Sequence, residues 1–373
     1  MGSPTSTTIA IDASRLSVRE RTGTERYSYE LIAALARIDH FNPYLLYSNG
    51  LPEALPPLGP NFNLRSLPLP RLWTHARLGP ALLRERPGLL FVPAHVIPLL
   101  HPPSLVTIHD LGYLTFPEAH TARRRLELDL STRWNLHAAR HVIAISQATK
   151  DDLVRSYQVN PERISVIHHG LSADFRPVED GAALQALRAR YNLHAPYFLY
   201  VGTIQPRKNL MRLIEAFAQA LPAMSHDGAT PLLVLAGRQG WLSEAILRRA
   251  HELGIASAVR FLGYVPDHEL PALLTAAQAF VFPSLYEGFG MPLLEAMACG
   301  TPVLTSTSSA LPEVAGGAAL LVEPTDRAAL AAGLVRLASD SALRTNLRHL
   351  GFARAAQFTW ERCARMTLER LRV

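Results

Sequence analysis

The residue types and spacings that could do chemistry converge on one stretch, Pro283-Ser-Leu-Tyr-Glu287-Gly288-Phe289-Gly290-Met291-Pro292-Leu-Leu-Glu295-Ala-Met-Ala-Cys299-Gly300. An apolar run, Ala279-Phe-Val-Phe282, reads as a buried strand that ends at Pro283. Two glycines then allow a ligand to approach the backbone without meeting a Cβ. Pro292 fits a first helical position, where its missing N–H costs nothing. Leu293, Leu294, Ala296 and Met297 continue the helix, and Gly300-Thr-Pro302 stops it. Gly290 and Met291 would therefore present N–H groups at the positive end of a helix, which is an anion site. Glu287 lies in the loop before it and Glu295 about one turn inside. Two carboxylates beside an anion site suit a ligand that carries both phosphate and hydroxyl groups, as a nucleotide sugar does. From these residues alone, an ordinary strand–loop–helix turn is the alternative.

A second candidate is Val201-Gly202-Thr203-Ile-Gln-Pro206-Arg207-Lys208-Asn209, a strand end and a glycine turn followed by adjacent cations. Of 37 basic residues only Lys150 and Lys208 are lysine. Cations at a helix start oppose its dipole, a conflict that a bound diphosphate would offset. Two solvated charges are the alternative. Gly263-Tyr264-Val265 forms a strand-to-helix turn, and Thr107-Ile-His109-Asp110 ends a strand, where open α/β sheets place ligands. Thr22-Gly23-Thr24 is a glycine loop after the first strand, and His168-His169-Gly170 ends another strand and reads as structural.

Glu287 and Glu295 within Pro-Ser-Leu-Tyr-Glu-Gly-Phe-Gly-Met-Pro resemble the signature of retaining glycosyltransferases of the glycogen-synthase-like kind, family 4. The resemblance implies a GT-B fold, in which two Rossmann-like domains face each other across a cleft. It assigns Arg207 and Lys208 to the donor diphosphate, Glu295 to the ribose hydroxyls, and Glu287 and His109 to the donor sugar. The region of Gly263, Tyr264 and Val265 would take the base. Gly23, Gly202, Phe289, Gly290 and Met291 complete the expected donor site, with His109, Glu287, Arg207 and Lys208 as the catalytic set. Relatives similar around Thr-Ile-His-Asp-Leu and Leu311-Pro-Glu313-Val often use GDP-mannose to build cell-surface polysaccharide. UDP-glucose is the alternative donor. A catalytically silent sugar-nucleotide-binding protein and a sugar-nucleotide epimerase are the rival functions.

These residues need elements to position them. Short apolar segments at 7–11, 44–47, 64–67, 89–92, 105–108, 142–145 and 164–167 alternate with helical patterns, as do those at 197–201, 232–236, 259–262, 279–282 and 302–305. That rhythm predicts α/β domains with parallel sheets covered on both faces. Thr24 would cap a helix from Glu25 to Arg37, and further helices would begin near Lys208, Trp241, Asp267 and Met291. The rhythm breaks between Gly170 and Pro196, which divides the chain into an acceptor-binding domain, 1–172, and a nucleotide-sugar domain, 173–357. By resemblance the stretch 358–373 is a terminal helix crossing back to the first domain.

A chain of 373 residues with 48% hydrophobic and 18% charged residues has ample core for two such domains. Its apolar runs all fall short of a membrane span. The N-terminal residues lack the order of a signal peptide, and Cys299 and Cys363 read as free thiols in a reducing compartment. The expected location is the cytoplasm, with peripheral contact at the inner membrane face as a further option. The charge of +6 is spread along the chain without a basic stripe interleaved with aromatics, so no nucleic-acid partner is implied. The expected partners are a nucleotide sugar and a saccharide or lipid-linked acceptor. Arg123-Arg124-Arg125 opens a helix whose charges read as a solvated face or as a surface for such a lipid-linked acceptor. No Gly-x-Gly-x-x-Gly, Walker or Gly-x-Ser-x-Gly motif occurs. Asp-x-Asp is also missing, so neither cofactor nor metal is expected.

Overall fold

The computed structural model describes residues 7–18, 23–52, 55–94, 96–225 and 230–372. The chain divides into two compact units, Met1–Gly170 with Phe358–Val373, and Leu171–Gln357. Each is built on a parallel sheet, giving the doubly wound α/β class that the strand–helix rhythm predicts.

The first unit contains β1 (Ile9–Asp12), β2 (Tyr44–Ser48), β3 (Phe62–Ser66), β4 (Leu89–Val92), β5 (Ser104–Ile108), β6 (His141–Ala144) and β7 (Ile164–Val166). Their order in the sheet is β3-β2-β1-β4-β5-β6-β7. Successive side chains point to opposite faces, and both faces are buried. Ile9, Ile11, Phe91 and Leu105 pack with the helices Gly23–Ile38 and Trp360–Leu371. Ala10, Leu90, Val92 and Val106 pack on the other side with Leu78, Leu82, Leu136 and Leu153. Strand order reverses between β1 and β4, which makes the carboxyl ends of these strands a natural ligand crevice.

The helix Trp360–Leu371 begins with Thr359, whose hydroxyl accepts from the Arg362 N–H at 3.2 Å. It lays Trp360, Cys363, Ala364, Leu368 and Leu371 into the core beneath helix Gly23–Ile38. This packing needs a bare backbone at Gly170, because a Cβ there would lie 2.2 Å from the Trp360 nitrogen.

The second unit holds β8 (Tyr197–Val201), β9 (Leu232–Ala236), β10 (Val259–Gly263), β11 (Ala279–Phe282), β12 (Val303–Ser306) and β13 (Ala319–Val322). Their order is β10-β9-β8-β11-β12-β13. The switch point here lies between β8 and β11, so the loops that follow these two strands are neighbours. Edge strand β13 was not among the expected strands. Its residues are only partly buried, and the run Ala318-Ala-Leu-Leu-Val is short.

Several boundaries differ from the sequence expectation. The first helix starts at Gly23, which leaves Thr24 inside it instead of capping it. The helix expected from Trp241 starts at Glu244. Those expected at Lys208 and Asp267 are preceded by short 3-10 turns, Pro206–Lys208 and Asp267–Glu269, and begin at Leu210 and Leu270.

Gly170→Ala should force the terminal helix outward at Trp360. The expected loss is about 1–3 kcal/mol of unfolding free energy, read as a lower urea midpoint with an unchanged slope.

Candidate functional site

In the second unit the chain leaves β8 through Gly202, at φ +148°, and passes so close to Gly237 that a Cβ there would lie 2.0 Å from the Gly202 carbonyl oxygen. The 3-10 turn Pro206–Lys208 follows, and Asn209 takes the left-handed conformation at φ +62°. The Asn209 amide donates to the carbonyls of Pro283 at 3.0 Å and Pro324 at 2.7 Å. The Leu285 N–H donates to the Arg207 carbonyl at 3.0 Å. These bonds fasten the loop after β8 to the loop after β11, across the switch point. They also hold Arg207 and Lys208 ahead of helix Leu210–Met224, not on its first turn as expected.

The two cations meet Glu287. Lys208 Nζ lies 2.6 Å from Glu287 Oε1, and an Arg207 guanidinium nitrogen lies 3.1 Å from Oε2. Arg207 also donates to the Tyr286 carbonyl, and Lys208 Nζ sits 4.9 Å from the Phe282 ring centroid. Lys208 and Glu287 are both 8% exposed. Burial pushes the Glu287 carboxyl up, but the charges of Lys208 and then Arg207 outweigh it and hold the group below the usual carboxylate range. A carboxylate from the neighbouring loop thus already offsets part of the charge of these adjacent cations. The cluster keeps one net positive charge.

The backbone of Glu287 is clamped by Ser309. Its N–H donates to Ser309 Oγ at 3.2 Å, and that hydroxyl donates to the Glu287 carbonyl. Ser309 itself is left-handed at φ +57°. Sequence reasoning missed it, and the only signal was a polar Thr307-Ser-Ser309 ahead of a Leu-Pro helix start.

Gly290 flanks helix Met291–Ala298 at φ +110°, where a Cβ would stand 2.7 Å from Leu311 Cδ2. Glycine is needed there on both counts. Pro292 occupies the second helical position, not the first. Within this first turn Pro292 has no N–H, and the Leu293 N–H donates to the Gly290 carbonyl at 3.0 Å. Phe289 and Glu295 are buried and Met291 is half-buried. Burial, then the charge of Glu295, pushes the Cys299 thiol up to about 12, so this thiol stays protonated. Gly263 ends β10 and its carbonyl accepts from Gly237 N–H at 2.7 Å, which ties that turn to the Gly202 loop. Beyond it Val265 is buried, while Tyr264 is exposed under the Arg238 guanidinium at 4.7 Å. Arg207, Lys208 and Glu287 thus touch directly, whereas Gly263–Val265 joins them only through the Gly237 turn.

In the first unit His109 follows β5, and its Nε2 lies 2.9 Å from the Pro93 carbonyl oxygen, just beyond β4. A carbonyl only accepts, so Nε2 carries the proton and Nδ1 keeps its lone pair. Burial lowers the pKa of this ring and keeps it neutral near pH 7. Its edge meets the Tyr27 ring at 4.9 Å. Tyr27 stacks on His169 at 4.7 Å, and His169 stacks on Trp360 at 6.0 Å. His169 is therefore structural, as expected, and burial followed by the neighbouring histidines holds it well below the usual imidazole range. Glu25, buried in the first turn of its helix, pairs with Arg15 at 2.7 Å, a contact that the sequence did not suggest. Gly23 is the first described residue of that helix, and among the described residues no atom lies within 4 Å of its Cβ position. Thr22 lies outside the described residues. Among the described residues no three His, Cys, Asp or Glu side chains gather as a metal site.

Residues 187–352 match the family described as glycosyl transferases group 1, and residues 21–175 match glycosyltransferase family 4. O-antigen chain mannosyltransferase B of Escherichia coli is 36% identical over 265 residues, spanning 71% of this chain and 69% of that protein. The chain belongs to the group 1, family 4 glycosyltransferases. D-inositol 3-phosphate glycosyltransferase of Streptomyces avermitilis is 34% identical over 241 residues, covering 62% of this chain and 51% of that one. Among solved structures, sucrose-phosphate synthase from Thermosynechococcus elongatus matches with a TM-score of 0.75 and 24% identity, covering 98% of both chains. An Anabaena protein in complex with UDP and glucose matches with a TM-score of 0.73 and 18% identity, again over 98% of both. These likenesses establish the GT-B fold for this glycosyltransferase.

Two outcomes test the site's energetics. Lys208→Met strands part of the Glu287 charge and should cost about 3–5 kcal/mol. Adding Glu287→Gln should cost less than the sum of the single changes, with a coupling of at least about 1 kcal/mol in urea unfolding. Separately, His109 and His169 both have folded pKa values below the unfolded value of about 6.5. The unfolded chain therefore binds protons first, and the stability is present above that pH and lost as pH falls below it. The loss should approach about 1.4 kcal/mol per pH unit for each ring. Thermal scans between pH 7.5 and about 5 should show a slope that His169→Phe reduces.

Proposed function

We propose that this glycosyltransferase moves mannose from GDP-mannose to a saccharide or lipid-linked saccharide acceptor in cell-surface polysaccharide synthesis, keeping the donor's α configuration and needing no metal ion. The observation that carries the reading is the buried Arg207–Lys208–Glu287 cluster at the β8/β11 switch point, beside the amino end of helix Met291–Ala298. The choice of mannose is supported by the O-antigen mannosyltransferase relative.

A nucleoside diphosphate leaves with charge that must be stabilised in the transition state. Arg207 offers a planar fork for two phosphate oxygens, and Lys208 offers a compact point charge. The N–H groups of Gly290 and Met291 add the positive helix end. With these groups fixed in place before reaction, a metal is not required to neutralise the leaving group. Glu287 pre-pairs with both cations, and its oxygens accept from sugar hydroxyls as the diphosphate takes over that pairing. Glu295 accepts from the ribose hydroxyls. The turn Gly263-Tyr264-Val265 serves the base, with Gly202 and Phe289 completing the wall. For His109 the proposed role is contact with the donor sugar as a neutral ring. The bond from the anomeric carbon to phosphate breaks, the bond to the acceptor oxygen forms on the same face, and the acceptor proton passes to the departing diphosphate.

The test is a thermal-shift panel followed by product analysis. At about 100 times Kd, GDP-mannose should add about 2.7 kcal/mol of stability, with GDP close behind and UDP-glucose without effect. Preferential stabilisation by UDP-glucose would replace the mannosyl reading with a glucosyl one. Incubation with acceptor in EDTA should give an α-linked product by proton NMR, and Glu287→Gln should slow its formation roughly a hundredfold or more. Loss of activity in EDTA with recovery on adding magnesium, or a β-linked product, would overturn the mechanism.

A further inference from the structure

The loop that carries His109 is short, and one helix grips it at both ends. His109-Asp110-Leu111 joins β5 to the single-turn helix Gly112–Thr115. At the start of the loop, the buried Thr149 hydroxyl donates to the His109 carbonyl at 3.4 Å. Thr149 lies in the first turn of helix Gln147–Tyr157, and its N–H donates to the capping Ser146 Oγ at 3.0 Å. Asp110 turns the loop, its Oδ1 accepting from the Gly112 N–H at 2.8 Å. Buried Tyr113 then reaches Tyr157, the last residue of the same helix, with the two hydroxyl oxygens 2.5 Å apart.

The tyrosine pair belongs to a directed polar chain that ends on helix Ala122–Ala138. The Tyr157 hydroxyl donates to Asp129 Oδ1 at 2.7 Å, and Arg133 Nε donates to Asp129 Oδ2 at 2.8 Å. The Arg133 bond outweighs desolvation and holds the Asp129 carboxyl below the usual carboxylate range. An ionised carboxylate only accepts. Tyr157 therefore gives its one proton to Asp129, and its oxygen is left to accept from Tyr113. Thr132 Oγ1 lies 3.0 Å from the Tyr113 hydroxyl, and the Arg133 guanidinium lies 5.1 Å from the Tyr157 ring centroid. A loop that needed only packing could be backed by two phenylalanines, because a paired polar group adds little stability over a well-fitted apolar one. A hydrogen bond adds direction.

We propose that Tyr113, Tyr157 and Asp129 are positioning residues for His109. They fix the far end of its loop, while Thr149 fixes the near end. The ring then keeps Nε2 on the Pro93 carbonyl and presents Nδ1 as the accepting nitrogen. This deepens the transferase reading and rests on the donor-sugar contact proposed there for His109.

The test joins a spectrum with a kinetic double-mutant cycle on the full chain. Nitrogen-15 spectra of the histidine rings, with the His109 signals assigned by His109→Gln, need neither donor nor turnover. Wild type should show one Nε2-protonated ring, and Tyr157→Phe should move both ring signals toward the average of the two tautomers. With GDP-mannose as donor, Tyr157→Phe should lower kcat about tenfold at unchanged KM. In the His109→Gln background the same change should cost less than about twofold, because its effect passes through His109. A merely structural brace would cost the same factor in both backgrounds. If Tyr157→Phe fails to fold, Asp129→Asn takes its place, since Asp129 is partly solvated and its change weakens the same chain. His109 signals that do not move, or equal kinetic losses in the two backgrounds, would overturn the proposal. Wild-type turnover by His109→Gln would instead overturn the sugar contact assigned to His109, so the two failures are read separately.

Discussion

The second unit depends on one buried carboxylate facing two cations. Glu287 can sit almost without solvent only because Lys208 and Arg207 bring opposite charge to it, while the cations are also held by the Tyr286 carbonyl and the Phe282 ring. A buried charge with its partner removed costs several kcal/mol, so the loops after β8 and β11 must be held in a fixed relation. Asn209 bridging to Pro283 and Pro324, Leu285 bonded to Arg207, and Ser309 gripping the Glu287 backbone supply that relation. The ion cluster is thus part of the fold as well as of the chemistry, and the same three side chains keep a surplus positive charge.

The first unit solves a comparable problem with rings instead of charges. His109 is fixed at Nε2 by the Pro93 carbonyl and along its edge by Tyr27. Tyr27 is braced in turn by its hydroxyl at 3.1 Å from Thr107 and by the His169–Trp360 stack. Because Trp360 belongs to the last helix, the end of the chain helps set the orientation of a ring that follows the fifth strand.

The strands and the catalytic-type residues were legible because both are local. Short apolar runs between helical patterns gave twelve of the described strands, and the motif around Glu287 and Glu295 lies within one loop and one helix. Partnership was not legible. Lys208 and Glu287 are 79 positions apart, and they meet because β8 and β11 are adjacent although β9 and β10 intervene in sequence. Sequence showed two cations with an unresolved conflict at a supposed helix start. The structure answers with Asn209 breaking the backbone first and a carboxylate arriving from across the switch point. Ser309 escaped for the same reason, since a left-handed serine clamping a distant backbone has no local pattern. Edge strand β13 carries an apolar run like the others, but it lies at the sheet's edge with Leu321 exposed, and it was not among the expected strands.

The central claim is that Arg207 and Lys208 are held by Glu287 in a form ready to receive a nucleoside diphosphate. Titration calorimetry of GDP with wild type, Lys208→Met and Glu287→Gln tests it most directly. The account predicts that Lys208→Met loses at least about tenfold in affinity, while Glu287→Gln binds as tightly as wild type or more tightly, because it releases both cations to the ligand. If Glu287→Gln instead loses affinity as severely as Lys208→Met while remaining folded, or if Lys208→Met binds GDP normally, the cluster is a structural ion pair and the anion binds elsewhere.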